Sequence, residues 1–351
     1  MEIIKATPTE IRNQLVLESS RINGDFRNKH ILSIDQFERE DLDILFPIAK
    51  EFKNRMENGN KKSLLEICKG ELMAVLFYEP STRTDMSHQA SMKRLGGEVI
   101  AASNGIEFSS VLKGEDLADT VRAVGCYADI IVQRHHEAGS SLKAAYYLDK
   151  LSKKIGRRMT LINGGDGAGE HPTQGLLDLF TIEEFKGKID GLNITIVGDL
   201  KNGRTVHSLT KLASKNGHNV NFSFVSPHSL KMPTEIINEI QTKGFKFYET
   251  DNLLDILPQS DVIYWTRIQE ERFDNKEEYE AIKNSFVMTP KVFSYAKSDA
   301  ILMHPLPRKH EMGTQEDHDI LDDDPRSVYF HQMENGMYVR MALLSLILGN
   351  Y

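Results

Sequence analysis

The sequence has little cysteine and lacks the residue spacings that metal sites require. Only two cysteines occur among 351 residues, Cys68 and Cys126, and they are far apart in the chain. Two isolated cysteines are typical of core positions in a reducing compartment rather than of a disulfide framework. The 12 histidines form no H-E-x-x-H or comparable ligand pattern. The sequence therefore predicts neither a disulfide nor a metal site.

Long apolar runs and an excess of basic residues are also missing. No stretch approaches the ~18 consecutive apolar residues of a transmembrane helix. The first residues lack a basic segment followed by an apolar one, and they carry several glutamates, which a transit peptide would usually avoid. Lysine and arginine number 43 against 51 aspartates and glutamates, a formal net charge of −8. We therefore expect a cytoplasmic protein with no membrane or nucleic-acid partner.

The common motifs for nucleotide binding and for a serine nucleophile are absent as well. The sequence contains no G-x-x-x-x-G-K-[ST] loop and no G-x-S-x-G elbow. The segments "GGDGAGE" and "GDLKNGRT" lack the spacing of a G-x-G-x-x-G turn. These absences argue against nucleotide-dependent enzymes and serine hydrolases.

What the sequence does contain is a repeated alternation of short apolar runs with amphipathic segments. Such alternation predicts parallel sheets covered by helices, and the length favours about two domains. We expect an α/β fold with two doubly wound parallel-sheet domains joined by helices, and a C-terminal helix that packs back on the first domain. The predicted domains are 1–172 with the helix 328–351, and 173–327. The acidic segment 316–324 is expected to be a solvated loop. The predicted strands are 72–78, 98–102, 129–134 and 159–164, followed by 192–199, 220–226, 245–250, 261–267 and 300–305.

Polar clusters follow most of the predicted strands, where ligands bind in open parallel sheets. In "LFYEPSTRTDMSHQASMKRLGG" (76–97), an apolar run stops at Glu79-Pro80 and a helical pattern follows Ser81. Ser81 fits a plain helix N-cap. The cluster of hydroxyls and a guanidinium fits equally a phosphate site at a helix N-terminus. The residues alone leave both interpretations open.

Taken together, the motifs resemble the aspartate carbamoyltransferase family. The segments "STRT", "RHHEAG", "HPTQGLLDLFTI", "GDLKNGRTVHSLTKLA", "TRIQEERF" and "HPLPR" occur in the family's order, and the similarity runs from about Lys29 to the C-terminus. The family's ornithine branch typically has Cys at the position of Pro305. The resemblance implies transfer of the carbamoyl group of carbamoyl phosphate to the α-amine of L-aspartate, without a cofactor.

The same resemblance implies how carbamoyl phosphate is held. Arg134, His171 and Thr84 are expected to stabilise negative charge on the carbamoyl oxygen. The amine is expected to donate to Gln174 and to the backbone carbonyls of Pro305 and Leu306. The implied phosphate ligands are Ser81, Thr82, Arg83 and Thr84.

For L-aspartate, the resemblance implies cationic clamps from the second domain. Arg204 and Arg267 are expected to bind the two carboxylates, with Gln269 beside Arg267. Glu79 and Arg272 are implied in domain closure. Ser109 and Lys113 are implied to reach a neighbouring active site, where Lys113 is also implied to bind aspartate. The expected assembly is therefore a homotrimer with shared sites, and a regulatory chain is left open. The residues implied as catalytic are Arg83, Thr84, Arg134, His171 and Lys113.

Two positions depart from the family pattern. Asp85 stands where a second Arg usually follows "STRT", and Leu112 stands where a basic residue often precedes Lys113. Neither departure removes a residue with an implied catalytic role, so both are expected to affect the kinetics rather than the identity of the reaction. The alternatives are a carbamoyltransferase with another amine acceptor, such as ornithine, and a non-catalytic relative.

Overall fold

The computed structural model describes residues 7–103, 114–167, 169–273 and 275–351. The chain forms two compact units. The first unit consists of Met1–Thr173 and Gly336–Tyr351, and the second unit consists of Gln174–Asn335. The chain therefore passes from the first unit to the second after residue 173 and returns after residue 335.

The described residues form two separate parallel sheets. The first sheet has four strands in the order β2-β1-β3-β4, and the second has five in the order β7-β6-β5-β8-β9. All of the strand pairs within them are parallel. The predicted α/β class is therefore confirmed. The strands are β1 (Leu72–Phe77), β2 (Glu98–Ser103), β3 (Ile130–His135), β4 (Thr160–Asp166), β5 (Asn193–Val197), β6 (Asn221–Val225), β7 (Lys246–Thr250), β8 (Val262–Trp265) and β9 (Ile301–Met303).

Helices alternate with these strands, as a parallel sheet requires. In the described part of the chain, no helix has the length and apolar character needed to cross a membrane. The helices are α1 (Pro8–Ser19), α2 (Arg39–Glu57), α3 (Thr82–Arg94), α4 (Leu117–Gly125), α5 (Ser140–Ile155), α6 (Pro172–Lys186), α7 (Arg204–Asn216), α8 (Thr234–Thr242), α9 (Lys276–Ile282), α10 (Pro290–Phe293), α11 (Gln315–Asp323) and α12 (Tyr329–Leu348).

In the first unit, one face of the sheet packs against α5. Alternate strand residues, such as Leu76 and Ile131, share a buried apolar cluster with Ala144 and Leu148 of that helix. Val16 of α1 joins the same cluster, so the N-terminal helix belongs to the core of this unit. The alternation follows from the two-residue period of a strand, which directs every second side chain to the same face.

The end of α12 packs on the first unit, as the sequence predicts. The Ser91 hydroxyl of α3 donates to the Met337 carbonyl of α12 at 3.0 Å. Beyond the helix, the ring of Tyr351 meets Phe52 of α2 edge to face, with centroids 5.0 Å apart. The apolar character of this helix is explained by burial of its later turns.

In the second unit, buried apolar side chains from the strands and helices form a core cluster. Val197, Trp265 and Leu302, from three neighbouring strands, belong to a single cluster. Leu321 of α11 is also part of it. The expectation of a solvated loop at 316–324 is therefore wrong. A capping box between Thr314 and Asp317 starts a helix there, and its apolar side faces the core.

Candidate functional site

In the first unit, β1, β3 and β4 are adjacent, so their carboxyl ends lie along one edge of the sheet. Arg134 lies near the carboxyl end of β3, whereas Ser81 and Thr84 lie in the segment after β1 and His171 in the segment after β4. The Tyr78 amide donates to the Arg134 carbonyl at 2.9 Å, which continues the β1–β3 pairing one residue past β1. The strand ends thus bring distant parts of the sequence to one edge.

The start of α3 has the geometry of a helix N-terminus, but Ser81 does not act as a simple cap. Ser81 occupies the N-cap position with extended backbone, and within the described residues its side chain makes no capping hydrogen bond. Its hydroxyl instead donates to Thr84 Oγ1 at 3.1 Å. Thr84 is buried, whereas Thr82 and Arg83 are exposed. The N-cap residue and the first turn of α3 therefore present two hydroxyls that are hydrogen-bonded to each other.

His171 lies next to this hydroxyl pair. Its Nε2 atom is 3.4 Å from Thr84 Oγ1, at the long end of hydrogen-bond range, although 87 residues separate the two. His171 is 4% exposed. Ser81, Thr84 and His171 therefore form one chain of polar contacts at the sheet edge.

Arg134 is a nearly buried cation with fixed partners. It is 7% exposed. Its Nη2 lies 2.8 Å from Glu79 Oε2, and its Nη1 donates to the Gly164 carbonyl at 3.2 Å. Such contacts offset the cost of burying a charge and hold the plane of the guanidinium. Glu79, predicted from the resemblance to act in domain closure, pairs with Arg134 in this structure.

One residue that orders this edge was not singled out from the sequence. Asp166, at the end of β4, accepts from the Glu170 amide at 2.7 Å and from the Gly139 amide at 2.9 Å. Gly139 immediately precedes α5, so Asp166 links the segment before His171 to the segment after Arg134. An Asp within a run of glycines ("GGDG") was the only sequence signal for this role.

In the second unit, β5, β8 and β9 are adjacent in the sheet. Arg204 begins α7 after β5, and Arg267 and Gln269 follow β8. Both arginines are half-buried. Gly198 allows the strands to end close together, because its φ is +119° and a Cβ there would lie 2.2 Å from the Thr266 carbonyl oxygen.

Asp199 holds these two loops to each other and was also not predicted. Its carboxylate accepts from the Asn202 amide at 3.0 Å and from the Gln269 amide at 3.4 Å. Burial raises the pKa of Asp199, against the opposing effect of the Asn202 hydrogen bonds. The loops that carry Arg204 and Arg267 are thus joined through one buried carboxyl group.

The segment after β9 is shaped by His304. The Leu306 amide donates to His304 Nδ1 at 2.8 Å, so the ring proton is on Nε2, which lies 3.2 Å from Glu311 Oε1. Although burial raises the pKa of Glu311, the hydrogen bond from His304 brings it below its usual value. Leu306 has a φ of +55°, and the Leu306–Pro307 peptide is cis. The chain bends sharply at the predicted residues Pro305 and Leu306.

Gln174, near the start of α6, is 7% exposed, and its Nε2 donates to Asp178 at 2.9 Å. Arg272 is exposed in the short turn Glu270–Arg272. The predicted residues Ser109 and Lys113 lie outside the described residues. Among the residues that are described, no group of three or more Cys, His, Asp and Glu side chains is arranged to hold a metal ion.

Family models match nearly the whole chain. Residues 29–184 match "Aspartate/ornithine carbamoyltransferase, carbamoyl-P binding domain". Residues 190–347 match "Aspartate/ornithine carbamoyltransferase, Asp/Orn binding domain". The two matches follow each other along the chain, as the two sheets do.

Individual proteins are similar over the same length. The multifunctional protein pyr1-3 of Dictyostelium discoideum is 48% identical over 93% of this chain, which spans 14% of that protein's length. The chloroplastic aspartate carbamoyltransferase of Arabidopsis thaliana is 44% identical over 92% of this chain and 78% of its own length. The structure of Trypanosoma cruzi aspartate transcarbamoylase with carbamoyl phosphate and aspartate has a TM-score of 0.80 at 37% identity, covering 92% of this chain and 96% of that one.

Proposed function

The chain belongs to the aspartate carbamoyltransferase family, and we propose that it transfers the carbamoyl group of carbamoyl phosphate to the α-amine of L-aspartate. The products are N-carbamoyl-L-aspartate and phosphate, and the reaction is an early step of pyrimidine biosynthesis. The observation that carries the proposal is the contact of Thr84 with His171, which joins "STRT" to "HPTQ" at one sheet edge. The multifunctional relatives contain much more sequence than this chain, so the proposal concerns only the carbamoyl transfer.

We assign the phosphate and the carbamoyl oxygen of carbamoyl phosphate to the first unit. Ser81, Thr82, Arg83 and Thr84 surround the N-terminus of α3, where backbone N–H groups and the helix dipole favour a phosphate. Arg83 is exposed at this turn and supplies a charge-assisted donor. Thr84, Arg134 and His171 are then assigned to the carbamoyl oxygen. Gln174, Pro305 and Leu306 are assigned to its amine.

The proposed reaction is a direct displacement. The uncharged amine of aspartate forms a bond to the carbamoyl carbon, negative charge grows on the carbonyl oxygen, and the bond to the phosphate oxygen breaks. The departing phosphate takes the amine proton. Donors that are already oriented toward such an oxyanion typically contribute about 10²–10³ in rate each. The buried and paired guanidinium of Arg134 fits this role because it needs no reorganisation.

We assign L-aspartate to the second unit. Its two carboxylates require two cations, and Arg204 and Arg267 follow adjacent strands whose loops Asp199 joins. Gln269 is assigned to the same carboxylate as Arg267. Ornithine has a basic side chain that would favour acidic partners, so this pair of arginines and Pro305 both favour aspartate.

The proposal includes an assembly and a location. A homotrimer would supply Ser109 and Lys113 to each active site from a neighbouring subunit. Glu79 and Arg272 would act in domain closure. We propose residues 1–172 with 328–351 as the carbamoyl-phosphate domain and residues 173–327 as the aspartate domain. We propose a cytoplasmic location, which fits the two isolated cysteines. Light scattering after gel filtration tests the trimer, and microscopy of a tagged chain tests the location.

The activity is tested by incubating purified protein with carbamoyl phosphate and either L-aspartate or L-ornithine, followed by colorimetric detection of the ureido product. Product with aspartate alone supports the proposal. Product with ornithine alone assigns the chain to another acceptor. No product from a trimeric preparation would favour a non-catalytic relative.

A further inference from the structure

Asp178 is a completely buried carboxylate in the second unit, with no role in the proposed chemistry so far. It lies on α6, one turn after Gln174, and is 0% exposed. A buried carboxylate is costly unless donors satisfy its oxygens. Among the described residues, donors from three separate parts of the sequence reach Asp178.

These donors divide between the two carboxylate oxygens. Oδ1 accepts from Gln174 Nε2 at 2.9 Å and from Gln332 Nε2 at 2.6 Å. Oδ2 accepts from the hydroxyl of Tyr264 at 2.8 Å. Burial, and next the charge of Asp178, raise the pKa of Tyr264 well above its usual value, so this hydroxyl remains a donor.

The carboxylate determines how both glutamine amides are oriented. A carboxylate accepts hydrogen bonds and donates none, so each amide must turn its nitrogen toward Asp178. The Gln174 oxygen then lies on the opposite branch of its amide and is presented as an acceptor. The Gln332 oxygen is presented in the same way, and it accepts from the His304 amide at 2.9 Å.

The network continues from His304 into the bend after β9. The Leu306 amide donates to the His304 ring, and the same ring contacts Glu311. Asp178 is therefore connected through Gln332 and His304 to the segment that holds Pro305 and Leu306. On the other side it contacts Gln174 directly. The acceptors assigned to the carbamoyl amine are thus all linked to the Asp178 carboxylate by hydrogen bonds. Gln174 is linked directly, and the 305–306 segment is linked through Gln332 and His304.

We propose that Asp178, with Gln332, is the positioning element that makes this enzyme select an amine-bearing carbamoyl group over an acyl phosphate that lacks the amine. The inference rests on the proposed function. Acceptors attract an N–H donor and gain nothing from a methyl group. Asp178 therefore acts through Gln174 and the 304–306 segment, without contacting the substrate itself.

The test compares carbamoyl phosphate with acetyl phosphate, which has a methyl group where carbamoyl phosphate has an amine. Dissociation constants are measured by titration calorimetry with freshly dissolved ligands. The wild-type protein is expected to prefer carbamoyl phosphate. In Asp178→Asn, the new amide can donate to Gln174 and so turn the Gln174 nitrogen toward the substrate. The preference should fall about tenfold or more, since one lost hydrogen bond is worth about that factor, while affinity for acetyl phosphate should hold within about threefold.

Tyr264→Phe is the matched control, because it removes the hydroxyl that bonds Oδ2 and also contacts Gln174, but leaves the hydrogen bonds of both glutamines to Oδ1. It should lower stability and leave the preference unchanged. The inference would be overturned if Asp178→Asn lost affinity equally for carbamoyl phosphate and acetyl phosphate. It would also be overturned if Tyr264→Phe lost as much of the preference for carbamoyl phosphate as Asp178→Asn does. A wild-type protein with no preference would overturn it as well.

Gln332→Met provides a second variant if Asp178→Asn does not fold. It breaks the hydrogen-bonded link between Asp178 and His304 at nearly constant side-chain volume. A loss of affinity for carbamoyl phosphate, but not for acetyl phosphate, is again expected. An equal loss of affinity for both ligands would show that Gln332 has a general structural role, and it would reject the inference. The wild-type assay with aspartate is run beside these titrations, so that a failure of the proposed function is recognised separately.

Discussion

The guanidinium of Arg134 and the carboxylate of Glu79 meet at 2.8 Å, at the carboxyl ends of β3 and β1. Arg134 is 7% exposed, and the Glu79 side chain is 33% exposed. The pair is therefore partly desolvated, with one guanidinium nitrogen on the acid and another on the Gly164 carbonyl. This arrangement holds the cation in one orientation, which is what a group that stabilises developing charge requires.

We expect Arg134→Lys to lower kcat by about 10²-fold or more, although the positive charge is kept. A lysine cannot reproduce the planar fork that contacts two partners at once. The measurement is steady-state kinetics with carbamoyl phosphate and aspartate. Arg122→Lys on α4, where the arginine is 41% exposed, is the control and should retain activity. Equal activity in both variants would show that Arg134 does not act on the oxyanion.

Asp85 sets a negative charge in the first turn of α3, close in sequence to the proposed phosphate ligands. Asp85→Asn should lower the KM for carbamoyl phosphate about two- to fivefold, and added salt should reduce the difference. The same change should cost about 0.3–1 kcal/mol in free energy of unfolding, because an acid at this position favours the helix dipole. Asp119→Asn on the exposed face of α4 changes the net charge equally and should leave the KM unaltered.

The buried imidazole of His88 should make the stability of the folded protein depend on pH. It is 0% exposed, its Nδ1 donates to the Thr84 carbonyl at 2.8 Å, and its Nε2 has no partner among the described residues. Burial, followed by the charge of Arg340, lowers the pKa of His88 well below its usual 6.5. Below pH 6.5 the unfolded chain therefore binds a proton that the folded chain does not, and stability falls on acidification.

The corresponding variant is His88→Phe, which keeps a ring of similar size. Between pH 6.5 and the lowered folded pKa, the pH slope of the unfolding free energy should fall by up to about 1.4 kcal/mol per pH unit. Denaturant unfolding at several pH values measures it, with the exposed His228→Gln as the control. An unchanged slope in His88→Phe would mean that His88 is protonated in the folded protein.

Local patterns in the sequence are sufficient for most elements of the fold but not for all of its polar contacts. The strands follow from short apolar runs, and the polar residues after them follow from the rule for parallel sheets. In the structure, capping boxes at Thr7 and Thr314 start α1 and α11, and the segment of α11 was expected to be a loop. By contrast, Asp178 and Gln332 are 154 residues apart in the chain. No periodicity encodes such a pair, because only the packed fold brings the two together.

Substitutions of Arg204 and Arg267 should affect the binding of L-aspartate but not that of carbamoyl phosphate. A charge-assisted hydrogen bond to a carboxylate is worth about 1.5–3 kcal/mol. Arg267→Ala or Arg204→Ala should therefore raise the KM for L-aspartate by about 10- to 150-fold. The dissociation constant of carbamoyl phosphate should stay within about twofold, because its proposed phosphate ligands are in the first unit. Kinetics give the first quantity, and calorimetry with carbamoyl phosphate alone gives the second.

The control for this pair is Lys243→Ala, an exposed cation in the second unit that pairs with Glu239. It removes the same charge and should leave both constants unaltered. A third variant, Arg267→Lys, keeps the charge but loses the bidentate geometry, so an intermediate KM is expected. If both alanine variants weakened carbamoyl phosphate as strongly as aspartate, the arginines would be required for the integrity of the site rather than for the acceptor. A rise confined to aspartate would instead mean that the two carboxylates of the acceptor are bound by these two loops, which Asp199 joins.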